Sequence, residues 1–261
     1  PKLTAENLRN LPLRLPPINE QRRIADILAN VDALISTNAA LVQPLRDLAV
    51  MRVSSACTLG QVTRVGDVAD LRRGLSYKGS GLAETGTPMV NMGSAENFGW
   101  LKRSGWKYYT GEHKARHIAH AGDLVVMNTE QTWRNEILGW PLLVPDDVSQ
   151  CLFTHHTYLV EFNAGSEWLR LPLWAHLFSL EARAELTSKV QGSTVANLPI
   201  EALADLRFPA PQQADPAIGI ASKLLAAAWD AEREVARLSA VRDELIPLLF
   251  TGRVSVREVA A

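Results

Sequence analysis

Two stretches of the chain carry apolar residues in the alternating three-and-four spacing of a coiled-coil seam. The first seam consists of Ile24, Ile27, Val31, Leu34, Asn38, Leu41, Leu45 and Leu48. The second consists of Ala221, Leu224, Ala228, Ala231, Val235, Leu238, Arg242, Leu245 and Leu249. The spacing predicts two helices, each roughly 50 Å long at about 1.5 Å per residue. Pro44 is expected to kink or end the first helix. The core of a plain helical bundle would give the same stripes.

An internal repeat favours a more specific arrangement. Residues 1–16 match residues 196–211, and each copy continues through a Pro-rich turn into a long helix that ends near a glycine. One domain is thus inserted between two like helices, which can run side by side only as an antiparallel pair. Since a domain precedes the second copy but not the first, we expect an upstream domain to be missing or supplied by another chain.

The inserted segment mixes strand and helix patterns. Strands are predicted at 87–91, 123–127, 137–144 and 157–162, and helices at 111–119 and 168–190. A glycine-rich loop lies at 73–81, and a polar loop at 128–135 follows a buried strand. The fold class is therefore α+β, with one mixed α/β domain inserted between two long helices that form an antiparallel coiled coil.

Composition limits what such a chain can do alone. The 261 residues are 47% hydrophobic and carry a net charge of −1, with two cysteines, so we expect a globular protein without a disulfide framework. Residues 64–116 hold nine basic against five acidic residues, and residues 117–169 hold one against seven. A nearly neutral chain should bind nucleic acid weakly by itself. No run of 18 apolar residues occurs, so no membrane association is expected.

Motifs for catalysis are missing from the sequence. It has no phosphate-binding loop of the Walker type, no dinucleotide-binding glycine pattern and no amine-binding motif of adenine methyltransferases. A zinc site could be drawn from His113, His117, His120, Cys151, His155 and His156. Because no tight cysteine pair supports that site, we expect no metal, no cofactor and no catalytic residue.

Several short motifs, taken in order, resemble the specificity (S) subunit of type I restriction-modification systems. LPLRLPPINEQRRI at 11–24 is similar to the turn and helix start that follow a recognition domain. VGDV at 65–68 and GLSY at 74–77 resemble the opening of such a domain, and GDLVV at 122–126 resembles its central strand. GST at 192–194 resembles its exit, and RDELIPLLFTG at 242–252 resembles the end of the family's C-terminal helix.

The resemblance implies a division of the chain. Residues 1–17 would be the tail of a missing upstream recognition domain, and residues 18–58 the first coiled-coil helix. Residues 59–211 would be one target recognition domain, and residues 212–261 the second coiled-coil helix and the C-terminal tail. The chain would be the C-terminal part of a subunit, or a half-subunit.

The resemblance also implies a function without chemistry of its own. In that family the S subunit reads double-stranded DNA, binds two methyltransferase (modification) subunits, and meets the restriction subunit through the complex. This chain would read one half of a bipartite site in the cytoplasm, and self-association would supply a second recognition domain.

Candidate DNA contacts are polar residues in loops beside strands, because amide and guanidinium forks can read base edges in the major groove. They are Tyr77, Lys78, Arg103, Thr129, Gln131, Thr132, Arg134 and Asn135. Candidate contacts to the methyltransferase are arginines expected on exposed helix faces, namely Arg22, Arg23, Arg46, Arg233 and Arg237.

Two alternatives remain open at this point. The chain could be the specificity chain of a restriction enzyme that cuts on both sides of its site. It could also be a coiled-coil scaffold whose middle domain binds protein rather than DNA.

Overall fold

The computed structural model describes residues 16–132, 134, 136–192, 194–251 and 253. The chain divides into two compact units. The first, which we call the helical unit, takes Pro1–Leu45 and Ala227–Ala261. The second, the mixed unit, takes Arg46–Ala226.

The helices of the described residues are α1 (Ile18–Cys57), α2 (Val65–Val68), α3 (Arg170–His176), α4 (Leu180–Ser188), α5 (Ile200–Ala204) and α6 (Pro216–Phe250). The strands are β1 (Gln61–Arg64), β2 (Ala69–Arg73), β3 (Leu82–Ala83), β4 (Thr87–Val90), β5 (Lys107–Tyr109), β6 (Ile118–His120), β7 (Leu124–Met127), β8 (Thr129–Glu130), β9 (Pro141–Leu143), β10 (Gln150–Phe153), β11 (Thr157–Phe162), β12 (Ala196–Asn197) and β13 (Arg207–Ala210).

In the helical unit, α1 and α6 pack side by side in opposite directions. Ile24, near the start of α1, forms one buried cluster with Leu249, near the end of α6. Further along, the Arg242 guanidinium of α6 donates to the Asp32 carboxylate of α1 at 3.0 Å. Because rising numbers on one helix meet falling numbers on the other, the predicted antiparallel coiled coil is confirmed.

The seam of α1 rotates away from the predicted heptad. Leu34 and Leu41 are 52% and 48% exposed, while their neighbours Ile35 and Val42 are half-buried. An α-helix of 3.6 residues per turn drifts from a repeat of 3.5, so a strict heptad leaves the interface after a few turns. Asn38 donates its amide to the Leu34 carbonyl of its own helix at 3.0 Å. Pro44 does not end α1, which continues to Cys57.

By length and composition alone, α1 could also cross a membrane. A single apolar helix near the N-terminus is weak evidence for a span, because helices of soluble proteins and signal sequences pass the same test. Its cross-helix ion pair between Asp32 and Arg242 is typical of a soluble coiled coil.

Two larger sheets form the core of the mixed unit. One has four antiparallel strands in the order β2-β11-β7-β9, and the other has five in the order β3-β5-β4-β10-β6, with β10 and β4 parallel. Side chains from both sheets share one core, for example Val125 and Leu159 with Val90 and Phe153. Strands β1 with β13, and β8 with β12, form two further short pairs.

Of the two predicted helices, the one at 111–119 is wrong and the one at 168–190 is divided in two. In 111–119, a single 3-10 turn at Ala115–His117 leads into strand β6, which pairs with β10. His117 and His120 therefore do not share a helical face. In 168–190, a break separates α3 from α4, and the Ser179 hydroxyl accepts from the Ala182 amide to cap the second helix. The strand predicted at 137–144 is shorter and begins at Pro141.

Candidate nucleic-acid interface

The four-stranded sheet gathers three connections at one of its ends. Strands β2 and β7 finish there at Arg73 and Met127, and the antiparallel strand β11 starts there, with Tyr158 opposite Arg73 and Thr157 opposite Met127. The segments 74–81, 128–140 and 154–156 therefore leave from the same edge, which we call the loop end. Tyr77, Lys78, Gln131, Thr132 and Arg134 all belong to these segments.

The first residues of the 128–140 loop are buried rather than exposed. Thr129 is 3% exposed, and its hydroxyl lies 2.7 Å from Oδ1 of Asn128 and 3.1 Å from Oδ1 of Asn197. Strand β8 pairs there with β12, which covers this part of the loop. The prediction that Thr129 contacts DNA is therefore wrong, because the side chain is enclosed by polar partners within the unit.

Glu130 organises the rest of the loop from beneath. The residue is 1% exposed, and five donors surround its carboxylate. They are the Thr132 hydroxyl and the backbone amides of Arg134, Glu136, Ile137 and Leu138, the four amides at 3.0–3.3 Å. Burial alone would raise the pKa of Glu130, but the hydrogen bonds from Thr132, Leu138, Ile137 and Glu136 outweigh it and the pKa is lowered. Glu130 is therefore a carboxylate at neutral pH.

Arg183 supports the far side of the same loop. Its Nη2 donates to the Leu138 carbonyl at 2.6 Å, and its guanidinium lies 4.2 Å from the centre of the Trp140 ring. Burial lowers the pKa of Arg183 to about 10, while the charge of Glu130 opposes that shift. Gly139 takes a φ of 71° at this turn, in the left-handed region that favours glycine.

The outer side chains of the loop remain available. Gln131, Thr132 and Arg134 are exposed. Within the described ranges, the side chains of Gln131 and Arg134 have no hydrogen-bond or ion-pair partner. Their backbone is nevertheless held by Glu130, which is the arrangement expected of a site that must present polar groups in a fixed geometry. Asn135 lies outside the described residues.

Tyr77 and Lys78 lie in the segment that follows β2. The Tyr77 ring packs edge-on against Tyr109, with centroids 6.1 Å apart, and its hydroxyl lies 3.2 Å from Nζ of Lys107. Lys78 is exposed. Arg103 is elsewhere: it forms an ion pair with Asp147, in the connection between β9 and β10.

Four further polar residues near the loop end are not among the DNA contacts predicted from the sequence, namely Arg73, Lys107, His155 and His156. Arg73 ends β2, and His155 and His156 form the turn before β11, so their position follows from the register of this sheet. Their position as polar residues at strand ends could have indicated a site. However, β2 and β11 are distant in sequence, so no local pattern shows that these residues lie together.

The five arginines predicted on exposed helix faces do not form one set. Arg22 is exposed, and Arg23, Arg233 and Arg237 each pair with a carboxylate three residues away on the same helix. Arg46 contradicts the prediction, because it is 5% exposed. It pairs with Glu96 at 3.3 Å and lies 4.6 Å from the centre of the Trp100 ring, which draws it into the mixed unit.

Nucleophilic and metal-binding groups are poorly placed in the described part of the chain. Cys57 and Cys151 are both buried, and burial raises the pKa of their thiols to about 11 and about 12. No group of three or more His, Cys, Asp or Glu side chains there could hold a metal ion.

Comparison with known proteins adds two findings. Residues 1–45 match the family described as type I restriction modification DNA specificity domain. The chain also superposes on the crystal structure of a type I restriction-modification S subunit from M. genitalium, with a TM-score of 0.60 and 16% identity. The alignment covers 89% of this chain and 61% of that one. The resemblance to type I specificity subunits is confirmed.

Two further solved structures are similar at a lower level. The HsdS subunit from Thermoanaerobacter tengcongensis gives a TM-score of 0.45 and 16% identity, over 97% of this chain and 64% of that one. A chain from a structure on the assembly and conformational transition of the type I R-M system gives 0.46 and 15%, over 96% and 64%. This chain thus spans less than two thirds of the length of each of these three chains. No curated protein sequence gave a significant match.

Proposed function

We propose that this chain is the DNA sequence-recognition subunit of a type I restriction-modification complex. Its residues 59–211 serve as one target recognition domain that reads one half of a bipartite site. The observation that carries the proposal is the loop end, where a buried carboxylate fixes the backbone of a loop whose Gln131 and Arg134 side chains stay free. These are the side-chain types that bind adenine and guanine edges bidentately in the major groove.

The proposed chain performs no chemistry itself. Methyl transfer and cleavage belong to modification and restriction subunits, which also supply the phosphate contacts that a chain of net charge −1 lacks. We place the complex in the cytoplasm, where the two buried thiols stay reduced.

The modification subunit docks on the long helices in this proposal. The exposed arginines Arg22, Arg23 and Arg237 and the half-buried Arg233 remain candidates for that contact, whereas Arg46 does not. Truncation of α6 at Ala228 removes the partner of α1 in the helical unit, so co-purification with the modification subunit should be lost. Undiminished co-purification would count against docking on the helices.

Reconstitution with the modification subunit of the same host tests the main proposal. The complex should methylate a defined set of genomic sites, found by sequencing of modified bases, and single-base changes in one half-site should abolish methylation. A complex that methylates without sequence preference would contradict the proposal. Cleavage on both sides of the site would instead identify the two-sided restriction enzyme, and a protein partner without DNA binding would identify the scaffold.

Self-association completes the proposed site. Residues 59–211 are one recognition domain in this proposal, and a second copy of the chain would supply the other, so that the complex reads a palindromic bipartite sequence. Methylated sites with inverted half-sites are the expected result, and asymmetric half-sites would show that another chain supplies the second domain.

A further inference from the structure

Two cations at or beside the loop end have no acidic partner among the residues that the structure describes. Arg73, the last residue of β2, is exposed, and its Nε donates to the His155 carbonyl at 3.1 Å. Its two terminal nitrogens, Nη1 and Nη2, make no hydrogen bond to the described residues. Lys107, the first residue of β5, is also exposed, and its one hydrogen bond there is to the Tyr77 hydroxyl at 3.2 Å.

Several other arginines of the mixed unit form ion pairs with carboxylates. Arg64 pairs with Asp67 and Asp205, Arg72 with Glu161, Arg103 with Asp147, and Arg170 with Asp123. Arg73 and Lys107 form no such pair in the described part of the chain, so both charges remain open to an anion from outside.

Arg73 and Lys107 both lie near the turn formed by His155 and His156. Arg73 donates to the His155 carbonyl, and Lys107 contacts Tyr77, in the segment whose Leu75 pairs with Thr154. Burial lowers the pKa of His156 to about 4, and the neighbouring charges of His155, Arg73 and Lys107 add to that shift. The His155 and His156 rings stack with centroids 3.9 Å apart, and both Nδ1 atoms are buried without a hydrogen-bond partner. At neutral pH His156 is therefore uncharged.

The cluster adjoins the loop that carries Gln131 and Arg134. The His155 carbonyl accepts from Arg73 and also from the Asn128 amide, at 3.2 Å, while the Asn128 backbone amide donates to the His156 carbonyl at 2.9 Å. A group held by Arg73 would thus lie beside the segment that leads into β8.

A guanidinium fork, an ammonium group and a phenol hydroxyl together suit the oxygens of a phosphate. We propose that Arg73 and Lys107, assisted by Tyr77, bind a backbone phosphate of the DNA and so set the register of the 128–140 loop on the duplex. The inference rests on the proposed function, which it deepens. A duplex is favoured over free phosphate because the cluster is open and exposed and borders the loop that presents base-reading side chains.

The test uses the complex with the modification subunit and its methylated duplex, together with a shuffled duplex. Arg73→Gln and Lys107→Gln should each weaken binding roughly tenfold to both duplexes, and each should reduce the slope of log K against log salt by about one. Discrimination between the duplexes should stay unchanged, because a phosphate contact carries no base information. Lys107→Arg keeps the charge and should retain the wild-type slope.

Matched controls remove the same charges elsewhere in the mixed unit. Arg207→Gln, on β13, and Lys223→Gln, on α6, should leave both affinity and slope at wild-type values. Thermal unfolding of every variant shows whether a loss of binding reflects loss of fold. Wild-type affinity and slope in folded Arg73→Gln and Lys107→Gln would overturn the inference, even if the wild-type complex recognises its site as proposed.

Inorganic phosphate distinguishes the source of the anion. Titrated into the wild-type chain at constant ionic strength, it should give no saturable shift in the amide resonances of Arg73 and Lys107. Saturation at low millimolar phosphate, together with unchanged DNA binding by the variants, would identify a free-anion site and contradict the DNA contact. A wild-type complex without sequence preference would instead show that the proposed function itself is wrong.

Discussion

At the scale of single residues, the backbone of the 128–140 loop is held by one buried carboxylate. Glu130 accepts from a hydroxyl and four backbone amides, so its replacement removes the acceptor of a whole turn. Glu130→Gln should lower the free energy of unfolding by about 2–3 kcal/mol, because the uncharged amide keeps one acceptor oxygen and turns an NH2 donor toward buried backbone amides. Denaturant unfolding measures the loss. Glu84→Gln, at an exposed position, is the matched control and should stay within about 0.5 kcal/mol.

The effect of Glu130 should also depend on pH. Its folded-state pKa lies below the ordinary value of 4.5, so the stabilisation is complete above that pH and disappears as pH falls through the lowered pKa. The stability difference between wild type and Glu130→Gln should therefore be constant from about pH 5 upward and shrink in more acidic solution. A difference that stays constant down to pH 3 would exclude an ionised carboxylate as its source.

Recognition should depend on other residues of the same loop. Arg134→Ala or Gln131→Ala should cost roughly 1–3 kcal/mol at one base position of the half-site, if each side chain binds one base bidentately. Folding should change by less than about 0.5 kcal/mol, because both side chains are exposed. The assay is methylation by the reconstituted complex on single-base variants of its site.

A contrasting result is expected for Thr129. Thr129→Ala should reduce stability, because the buried Oδ1 atoms of Asn128 and Asn197 lose a donor, and it should leave base preference intact. Changed preference without loss of stability would restore Thr129 as a direct contact.

At the scale of elements, the long helices could be predicted because their signal is local and repeated many times. Strands β7 and β11 were also predictable as short apolar runs. The error at 111–119 has a long-range cause: β6 exists because Gln150 and Cys151 of β10 pair with it, about thirty residues away. Burial of Thr129 by β12 has the same origin, so the sequence predicted a polar loop after β7 but not which of its side chains stay exposed.

The rotation of the α1 seam gives an element-scale prediction. Ile24→Ala should destabilise the helical unit by about 2–4 kcal/mol, because Ile24 is 2% exposed and packs against Leu249. Leu34→Ala belongs to the same heptad pattern, but Leu34 is 52% exposed, so its cost should be below about 1 kcal/mol. Equal losses, measured by denaturant unfolding at low protein concentration, would restore the strict heptad.

At the scale of the whole molecule, the net charge predicts that this chain needs a partner to bind DNA tightly. A net charge of −1 leaves little counterion release for the isolated chain. The chain alone should therefore bind any duplex weakly and lose that binding steeply as salt rises. Addition of the modification subunit should restore tight binding to the methylated sequence and not to a shuffled one.

The paired helices should act as a spacer between two half-sites. Around Asp32 and Arg242 the two helices run in register, so residues 28–34 of α1 lie opposite residues 240–246 of α6. Each of these two ranges is one heptad. Deleting both keeps the seam in phase and shortens the helix pair by about 10 Å, at about 1.5 Å per residue. Since B-DNA rises about 3.4 Å per base pair, the gap between half-sites should shorten by roughly three base pairs. The bases read within each half-site should not change, because the mixed unit is untouched. Sequencing of sites methylated by the shortened complex measures both quantities, and an unaltered gap would show that the helices do not set the spacing.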